Sequence, residues 1–326
     1  MKQKILALLK STQGYISGQE LCERFGVSRT AVWKAIKQLQ NEGYQIEAVN
    51  NKGYHLVGST DVMTKEEILD KLNTKWIGRE LICYKETGST NNDIKRAAED
   101  GAGEGLVIVA DTQNGGRGRR GRVWQSPPGT SIAVSLLLRP DIRPENASML
   151  TLVSALAVAR TMNEILPGAC SIKWPNDVLL HNKKVCGILT EMAAEPETIH
   201  YVVPGIGINV NQEEFPEDIR DIATSILIET GKKYDRSAFV AKFLAHFEEE
   251  YGIFMETQDM SGLIEEYNSI LANKDKEVRV LDPKGEFSGI ARGIDMRGQL
   301  QVELETGEIT SVYAGEVSVR GIYGYV

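Results

Sequence analysis

Gly115-Gly116-Arg117-Gly118-Arg119-Arg120-Gly121-Arg122 packs four glycines and four arginines into eight consecutive residues. Glycine lets the main chain take φ > 0 and come close to a ligand, and arginine presents a planar fork of donors matched to phosphate and carboxylate oxygens. Residues 116–121 also spell G-x-G-x-x-G, the fingerprint of a dinucleotide-binding fold, which requires a strand before it and a helix after it. The strand is present in Leu106-Val107-Ile108-Val109-Ala110. Beyond the loop come Val123-Trp124-Gln125-Ser126-Pro127-Pro128-Gly129-Thr130 and a second apolar run, 132–138. No helix begins there, so the dinucleotide fold is excluded. Two readings of the stretch stay open at this point: a loop that closes over an anion, and a solvated arginine-rich hairpin tip.

The chain's 326 residues exceed one typical domain, and two or three are expected. An apolar fraction of 42% and a charged fraction of 25% belong to an ordinary globular protein with a normal core. No run of eighteen apolar residues occurs, and the start, Met1-Lys2-Gln3-Lys4-Ile5, lacks the apolar region and cleavage site of a secretion signal. A cytoplasmic protein with no membrane association is the expectation. Cys22, Cys83, Cys170 and Cys186 show no C-x-x-C spacing and the four histidines no i,i+4 pair, so neither structural zinc nor a disulfide framework is expected.

Charge is unevenly placed along this acidic chain of net −8. In residues 1–63 eight Lys and Arg face five acidic side chains, a balance of +3, which leaves −11 on the rest. A basic N-terminal module on an acidic body is the asymmetry of a small domain that meets a polyanion. Ser17 and Glu20 have capping-box spacing and start a short helix that ends at Gly26. After a three-residue turn Ser28 caps a second helix, whose Val32, Ile36 and Leu39 recur at helical spacing. Ser28, Arg29, Thr30, Lys34 and Lys37 then stand at the recognition-helix position. Two short strand-like runs, 44–49 and 54–57, joined by Asn50-Asn51-Lys52-Gly53, read as a hairpin wing carrying Lys52. The pattern predicts a winged helix-turn-helix that binds DNA in preference to a helical dimerisation module.

Around Gly58-Ser59-Thr60 the pattern breaks, and Thr64-x-x-Glu67 opens a new helix, which places a boundary near residue 63. The strand 81–84 leads into Thr87-Gly88-Ser89-Thr90-Asn91-Asn92-Asp93 and a helix from about 92 to 100. Plain capping by Ser89 or Thr90 accounts for these side chains, and a helix N-terminus with neighbouring hydroxyls also suits a small polar ligand. Residues 144–166 read as one long apolar core helix. In Ser171-Ile172-Lys173-Trp174-Pro175-Asn176-Asp177-Val178-Leu179-Leu180 the proline predicts an edge position or a bulge at 174–177. A turn at His181-Asn182-Lys183 returns the chain through 184–191. Another strand, 201–210, carries Gly205 and Gly207 on one face, which makes room for a ligand or for tight packing. Segment 213–220 is acidic and polar, a helix-like pattern runs from Ala223 through Phe239 to Met255, and short β runs fill 277–325.

Taken in order, Gly-Ser-Thr-Asn (88–91), Gly-Arg-Gly-Arg-Arg-Gly-Arg (116–122), Lys-Trp-Pro-Asn-Asp (173–177), Lys-Val-Cys-Gly-Ile-Leu (184–189) and Gly-Ile-Gly-Ile-Asn (205–209) resemble the biotin protein ligase family. With the helix-turn-helix ahead of them they are similar to its bifunctional bacterial form, the ligase that is also the biotin operon repressor. Gly315-Glu316-Val317-Ser318-Val319-Arg320 resembles the end of the family's C-terminal domain, so the likeness runs along nearly the whole chain. It implies an α/β (α+β) chain in three parts. These are a winged helix-turn-helix at 1–63, a central mixed-sheet catalytic domain similar to class II aminoacyl-tRNA synthetases at 64–272, and an SH3-like β-barrel at 273–326.

The resemblance also implies chemistry: biotin and ATP give biotinyl-5′-AMP and pyrophosphate, and a lysine of a biotin carboxyl carrier domain then takes the biotinyl group. Carried over by position, Ser89, Thr90, Asn91 and Gln113 bind biotin, and Gly116, Arg117, Gly118 and Arg119 order over the ligand. Lys184 meets the carboxylate or α-phosphate, with Arg117 and Arg119 beside it as the other catalytic cations. Trp124 lies against the adenylate, Gly187, Gly205 and Gly207 leave space for the biotin ring, and Asn209 completes the site. Asn176 and Asp177 are the polar groups nearest ATP and Mg²⁺. In segment 210–255 no aromatic residue is identified for stacking on adenine. Operator DNA and a ligand-induced homodimer are the remaining partners implied. A biotin-sensing repressor without turnover and a lipoate-type ligase are the alternatives, and the Gly-Arg-Gly-Arg-Arg-Gly run speaks against the second.

Overall fold

The computed structural model of the chain describes residues 1–57, 61–282, 285–314 and, as backbone, 318–321. The break at Gly58-Ser59-Thr60, the Pro283-Lys284 part of a turn and the Gly315-Glu316-Val317 part of the C-terminal resemblance lie outside the described residues.

The N-terminal module forms where its caps and its apolar spacing agree. Helix α1 (Lys2–Ser11), absent from the elements expected of the sequence, buries Ile5, Leu6 and Leu9. Its signal was the Ile5–Leu9 spacing, obscured by three polar residues at its start. Helix α2 (Gly18–Phe25) is capped by Ser17, whose Oγ accepts from Glu20 N, and is closed by Gly26 in the left-handed conformation. Helix α3 (Arg29–Asn41) is capped in the same way by Ser28 and buries Val32, Ala35, Ile36 and Leu39. Strands β1 (Ile46–Val49) and β2 (Gly53–Leu56) form the expected antiparallel hairpin. Gly53 takes φ +109°, and a Cβ there would lie 2.0 Å from Ile16 O, so only glycine lets the wing close on the helices. The module has its own core, in which Ile5, Leu21, Ile36 and Leu39 meet Tyr44 and Ile46.

The central part is a seven-stranded sheet flanked by helices. In chain order it contains α4 (Lys65–Lys71), β3 (Leu81–Thr87), α5 (Thr90–Glu99), β4 (Val107–Gln113), β5 (Ser131–Leu136), α6 (Leu150–Ile165), β6 (Cys170–Lys173), β7 (Asp177–Leu180), β8 (Lys183–Ala194), β9 (Ile199–Asn209), α7 (Ile226–Thr230), α8 (Arg236–Thr257) and α9 (Ile264–Ser269). The strand order is β3-β4-β5-β9-β8-β7-β6, with β3 and β4 parallel and the other pairs antiparallel. The C-terminal part contributes β10 (Glu277–Leu281), β11 (Phe287–Ile294), β12 (Leu300–Glu303), β13 (Ile309–Val312) and β14 (Ser318–Gly321), an antiparallel five-stranded sheet of order β13-β12-β11-β10-β14. Its buried Val278, Val280, Leu300 and Val302 belong to the same apolar cluster as α6 and α8, so it packs on the central part without a separate core.

Three expectations need correction. The helix read at 144–166 is a 3-10 turn, Pro144–Met149, succeeded by α6. The pattern read from 223 to 255 is two helices, separated where Gly231 takes the left-handed conformation after α7. Trp174-Pro175-Asn176 is neither a bulge nor a break inside one strand. It is the turn of the β6–β7 hairpin, with a cis Trp174–Pro175 peptide, at the sheet edge that β6 forms.

A buried guanidinium fastens the N-terminal module to the body. Arg236, at the start of α8 and 3% exposed, binds Asp61 Oδ2 at 2.7 Å, the carboxylate of Asp111 on β4, and Ser131 O of β5 at 3.0 Å. Asp61 also accepts from Asn211 Nδ2 at 2.7 Å, and Ser237 Oγ donates to Val62 O. Glu67 of α4 is a second joint, held by Lys10 of α1 at 2.6 Å, Tyr44 Oη at 2.7 Å and Lys71 at 2.9 Å. Removing one member of a buried charge cluster leaves its partners unpaired, so Arg236→Ala should lower unfolding stability in urea by about 3 kcal/mol. Unchanged stability would show that Arg236 is not the fastening.

Candidate functional site

Strand β9 lies between β5 and β8, and Gly205 and Gly207 leave one of its faces bare. A Cβ on Gly205 would stand 1.9 Å from Asn91 Oδ1, and one on Gly207 would stand 2.4 Å from the Trp124 indole. A Cβ on Gly187 of β8, paired with Gly207, would meet both Trp124 and Lys184 at 3.0 Å. Asn91, Trp124 and Lys184 therefore lie directly on the backbone at these glycines. All three glycines line the cavity and at the same time seat side chains of its walls.

That cavity has a volume of about 810 Å³, within the range of small-molecule sites. Of the residues expected to bind ligand, Ser89, Thr90, Asn91, Gln113, Arg117, Gly118, Arg119, Trp124, Lys184, Gly187, Gly205, Gly207 and Asn209 line it, as do Asn176 and Asp177. Gly116 stands just behind the wall, where a Cβ would lie 2.4 Å from Trp124 O.

One end of the cavity is lined by hydroxyl and amide groups, with the Glu191 carboxylate beside them. Ser89 occupies the N-cap position of α5 but its side chain does not cap the helix. Thr90 directs both its N–H and its Oγ1 at Gln113 Oε1, at 2.8 and 3.1 Å. The capping explanation of this segment therefore fails, and its side chains are directed into the site. Asn91 Nδ2 donates to Leu189 O and to Glu191 Oε2. Burial works to raise the Glu191 carboxyl, but hydrogen bonds from Lys95 and Asn91 hold it below its ordinary value.

The other end is cationic. Lys184 Nζ pairs with Asp177 Oδ1 at 2.6 Å and sits 5.5 Å from the centre of the Trp124 ring. The Trp124 Nε1 donor is buried without a hydrogen-bond partner among the described residues. The arginine loop is a short hairpin, closed by bridges between Gln113 and Ser126 and between Arg117 and Val123. Within it Arg120 takes φ +57° and is exposed, whereas Arg119 turns inward. Arg119 donates to Asn176 Oδ1 at 3.0 Å and to Ala314 O, in the turn just beyond β13, at 2.8 Å. Burial lowers its pKa, with Asp177 opposing. Arg120 and Arg122 are exposed but also line the cavity, Arg120 donating to Leu281 O at 3.4 Å, and Arg119 faces its anion end.

Sequence reasoning missed several residues of the wall. Lys173 is 6% exposed on β6, and Glu191 and Gln212 join it along the cavity. Phe215 also lines the cavity, so segment 213–220 does contribute a ring. Its being the one aromatic among polar neighbours was the available signal. The segment reaches the site because its end docks on Lys184, whose N–H donates to Ile222 O and whose C=O accepts from Thr224 N.

In the N-terminal module Ser28, Arg29, Thr30, Lys34, Lys37 and Lys52 are all exposed, with Trp33 between them at 52%. Thr30, Lys34 and Lys37 share the helix's outer side, away from the core residues Val32, Ile36 and Leu39, and Ser28 and Arg29 are exposed at its N-terminal end.

Comparison with known proteins agrees with this geometry. The Biotin/lipoate A/B protein ligase family matches residues 85–209, an HTH domain matches 2–55 and the Biotin protein ligase C terminal domain matches 275–320. The chain is 40% identical over 307 residues to the bifunctional ligase/repressor of Bacillus subtilis, covering 94% of both chains. The chain belongs to the bifunctional biotin ligase/repressor family. It is also 30% identical to the Escherichia coli ligase/repressor over 97% of its length and 96% of that protein. The biotin protein ligase of Aquifex aeolicus, solved in complex with biotin and ATP, superposes with a TM-score of 0.67 at 36% identity, spanning 74% of this chain and 99% of that one.

For this ligase the bare face of β9 is the most exacting feature of the site. Gly205→Ala should displace Asn91 and Gly207→Ala should displace Trp124, each weakening biotin binding by about tenfold or more in calorimetry. Affinity equal to the parent protein's would mean that those side chains are free to move aside.

Proposed function

We propose that this ligase joins biotin to ATP, holds biotinyl-5′-AMP and passes the biotinyl group to a lysine of a biotin carboxyl carrier domain. We also propose that the adenylate-bound chain represses biotin genes as a homodimer on operator DNA. The observation that carries the reading is one cavity with a hydroxyl and amide end at Thr90, Asn91 and Gln113 and a cationic end at Lys184 and Arg119. A cyclic urea suits the first end, and a carboxylate meeting a phosphate suits the second.

In the first step a biotin carboxylate oxygen attacks the α-phosphorus, and the bond to the pyrophosphate oxygen breaks. In the second the acceptor lysine, as its neutral amine, attacks the activated carbonyl, AMP leaves with the bonding pair, and the amine proton is released. No protein nucleophile is needed, because the adenylate carries the activation. Lys184 exchanges its pairing with Asp177 for ligand oxygens, and Arg119 adds positive charge where the phosphate oxygens gain negative charge. Trp124 packs on the adenylate, and Phe215 is the ring offered to adenine. Mg²⁺ accompanying ATP would offset phosphate charge, with Asp177 and Asn176 the oxygen donors at that end. These are ligands of the kind it takes alongside phosphates. Among the described residues no group of three acidic, His or Cys side chains forms a metal cage of its own.

The exposed Thr30, Lys34 and Lys37 side of α3 is the surface for the major groove, with Arg29 at its N-terminal end, Ser28 at its N-cap and Lys52 on the wing toward the backbone. Both activities belong in the cytoplasm. No helix among the described residues is long and apolar enough to cross a membrane.

Purified protein with Mg²⁺ should catalyse biotin-dependent exchange of pyrophosphate into ATP and label a carrier domain. Exchange supported by lipoate and not by biotin would assign the other branch of the superfamily, and no exchange would leave a sensor alone. Arg29→Ala or Lys34→Ala should weaken operator binding and reduce its salt dependence while ligation stays intact. Equal loss of ligation would mark a folding defect in place of a lost DNA contact.

A further inference from the structure

Ser135 on β5 is fully buried, paired across the sheet with Gly205 of β9. Its Oγ stands 2.7 Å from Thr90 Oγ1 and 2.6 Å from Asn91 Oδ1. Thr90 Oγ1 is in turn 3.1 Å from Gln113 Oε1, which also receives the Thr90 backbone N–H at 2.8 Å. Four oxygens therefore lie in a row, Asn91 Oδ1, Ser135 Oγ, Thr90 Oγ1 and Gln113 Oε1. Their three contacts share only the two hydroxyl hydrogens, since the amide oxygens at the ends can only accept.

One assignment satisfies both ends. Thr90 donates both its N–H and its hydroxyl to Gln113 Oε1, and the Ser135 hydroxyl is the donor shared by Asn91 Oδ1 and Thr90 Oγ1. Without the Ser135 hydroxyl the buried Asn91 oxygen has no donor in this row, and an unmet buried acceptor is costly. Asn91 Nδ2 is already committed to Leu189 O and Glu191. The Thr90 hydrogen is committed to Gln113, so Thr90 Oγ1 has only acceptor capacity left for a ligand.

We propose that Ser135 is a positioning and specificity residue for biotin: through its shared hydroxyl hydrogen it holds Asn91 in place and presents Thr90 as an acceptor for a ureido N–H. The inference rests on the reading of the cavity as a biotin site. Ser135→Ala removes that hydroxyl while subtracting a single heavy atom from the core. The Asn91 oxygen and the Thr90 hydroxyl both lose their donor, so neither side chain is held at its place on the cavity wall.

Biotin-dependent pyrophosphate exchange and the melting temperature, measured on the full chain, test this. In Ser135→Ala the KM for biotin should rise about tenfold, the loss expected for one displaced hydrogen bond, while kcat and the KM for ATP stay within about twofold. An unchanged KM for biotin would overturn the proposal. A parallel rise of both KM values with a lower melting temperature would overturn it too, since Ser135 would then serve only the fold. No biotin-dependent exchange in the unsubstituted protein would instead overturn the biotin reading, and this inference with it.

Discussion

The site depends on the close approach of two side chains to one strand. Asn91 and Trp124 lie on the backbone of β9 at distances that no Cβ allows, because residues 205 and 207 are glycine. This packing sets the positions of the polar and the apolar walls together. Asn91 ties α5 to β8 through Leu189 and Glu191, and Trp124 carries Lys184 over its ring. The arginine loop is then anchored from behind, since Gly116 passes directly against Trp124 O. A single bare strand face thus aligns α5, β8 and the loop, which are far apart in sequence.

The same sheet is fastened to the N-terminal module by charge. Arg236 sits between Asp61, just beyond the wing, and Asp111, two residues before the ligand-facing Gln113 on β4. Asn211, next to Gln212 in the cavity wall, adds a second bond to Asp61. Buried ion clusters of this kind fix geometry more than they add stability. Here the fixed quantity is the position of the DNA-binding helices relative to a site that holds a charged intermediate. Arg119 adds a comparable tie at the other end of the body by reaching Ala314 O in the turn just beyond β13.

Local chemistry in the chain was a reliable guide where a side chain acts on its own neighbourhood. Ser17, Ser28 and Thr64 cap helices as their spacing predicts, and the wing turns where Asn50 to Gly53 predict it. The spacing was a poorer guide where two local readings compete. Ser89 stands at an N-cap and does not cap, because the neighbouring Thr90 is bonded across the sheet to Gln113 instead. Pro175 reads as a strand interruption and is a hairpin turn, because residues 170–173 and 177–180 pair with each other.

From its sequence alone the chain declared a basic winged helix ahead of an acidic α/β body, the absence of a dinucleotide fold at the arginine loop, and a set of ligand-site residues of which all but Gly116 line the cavity. Those features are carried by caps, turns and residue types that act within a few positions. Only the tertiary structure decided that the glycines seat Asn91 and Trp124, that Phe215 and Lys173 reach the cavity, that Arg119 bonds Asn176 and Ala314, and that Ser135 links Thr90 to Asn91. Each of these is a contact between segments tens of residues apart. Their distances are set by sheet order and register, which no local pattern encodes.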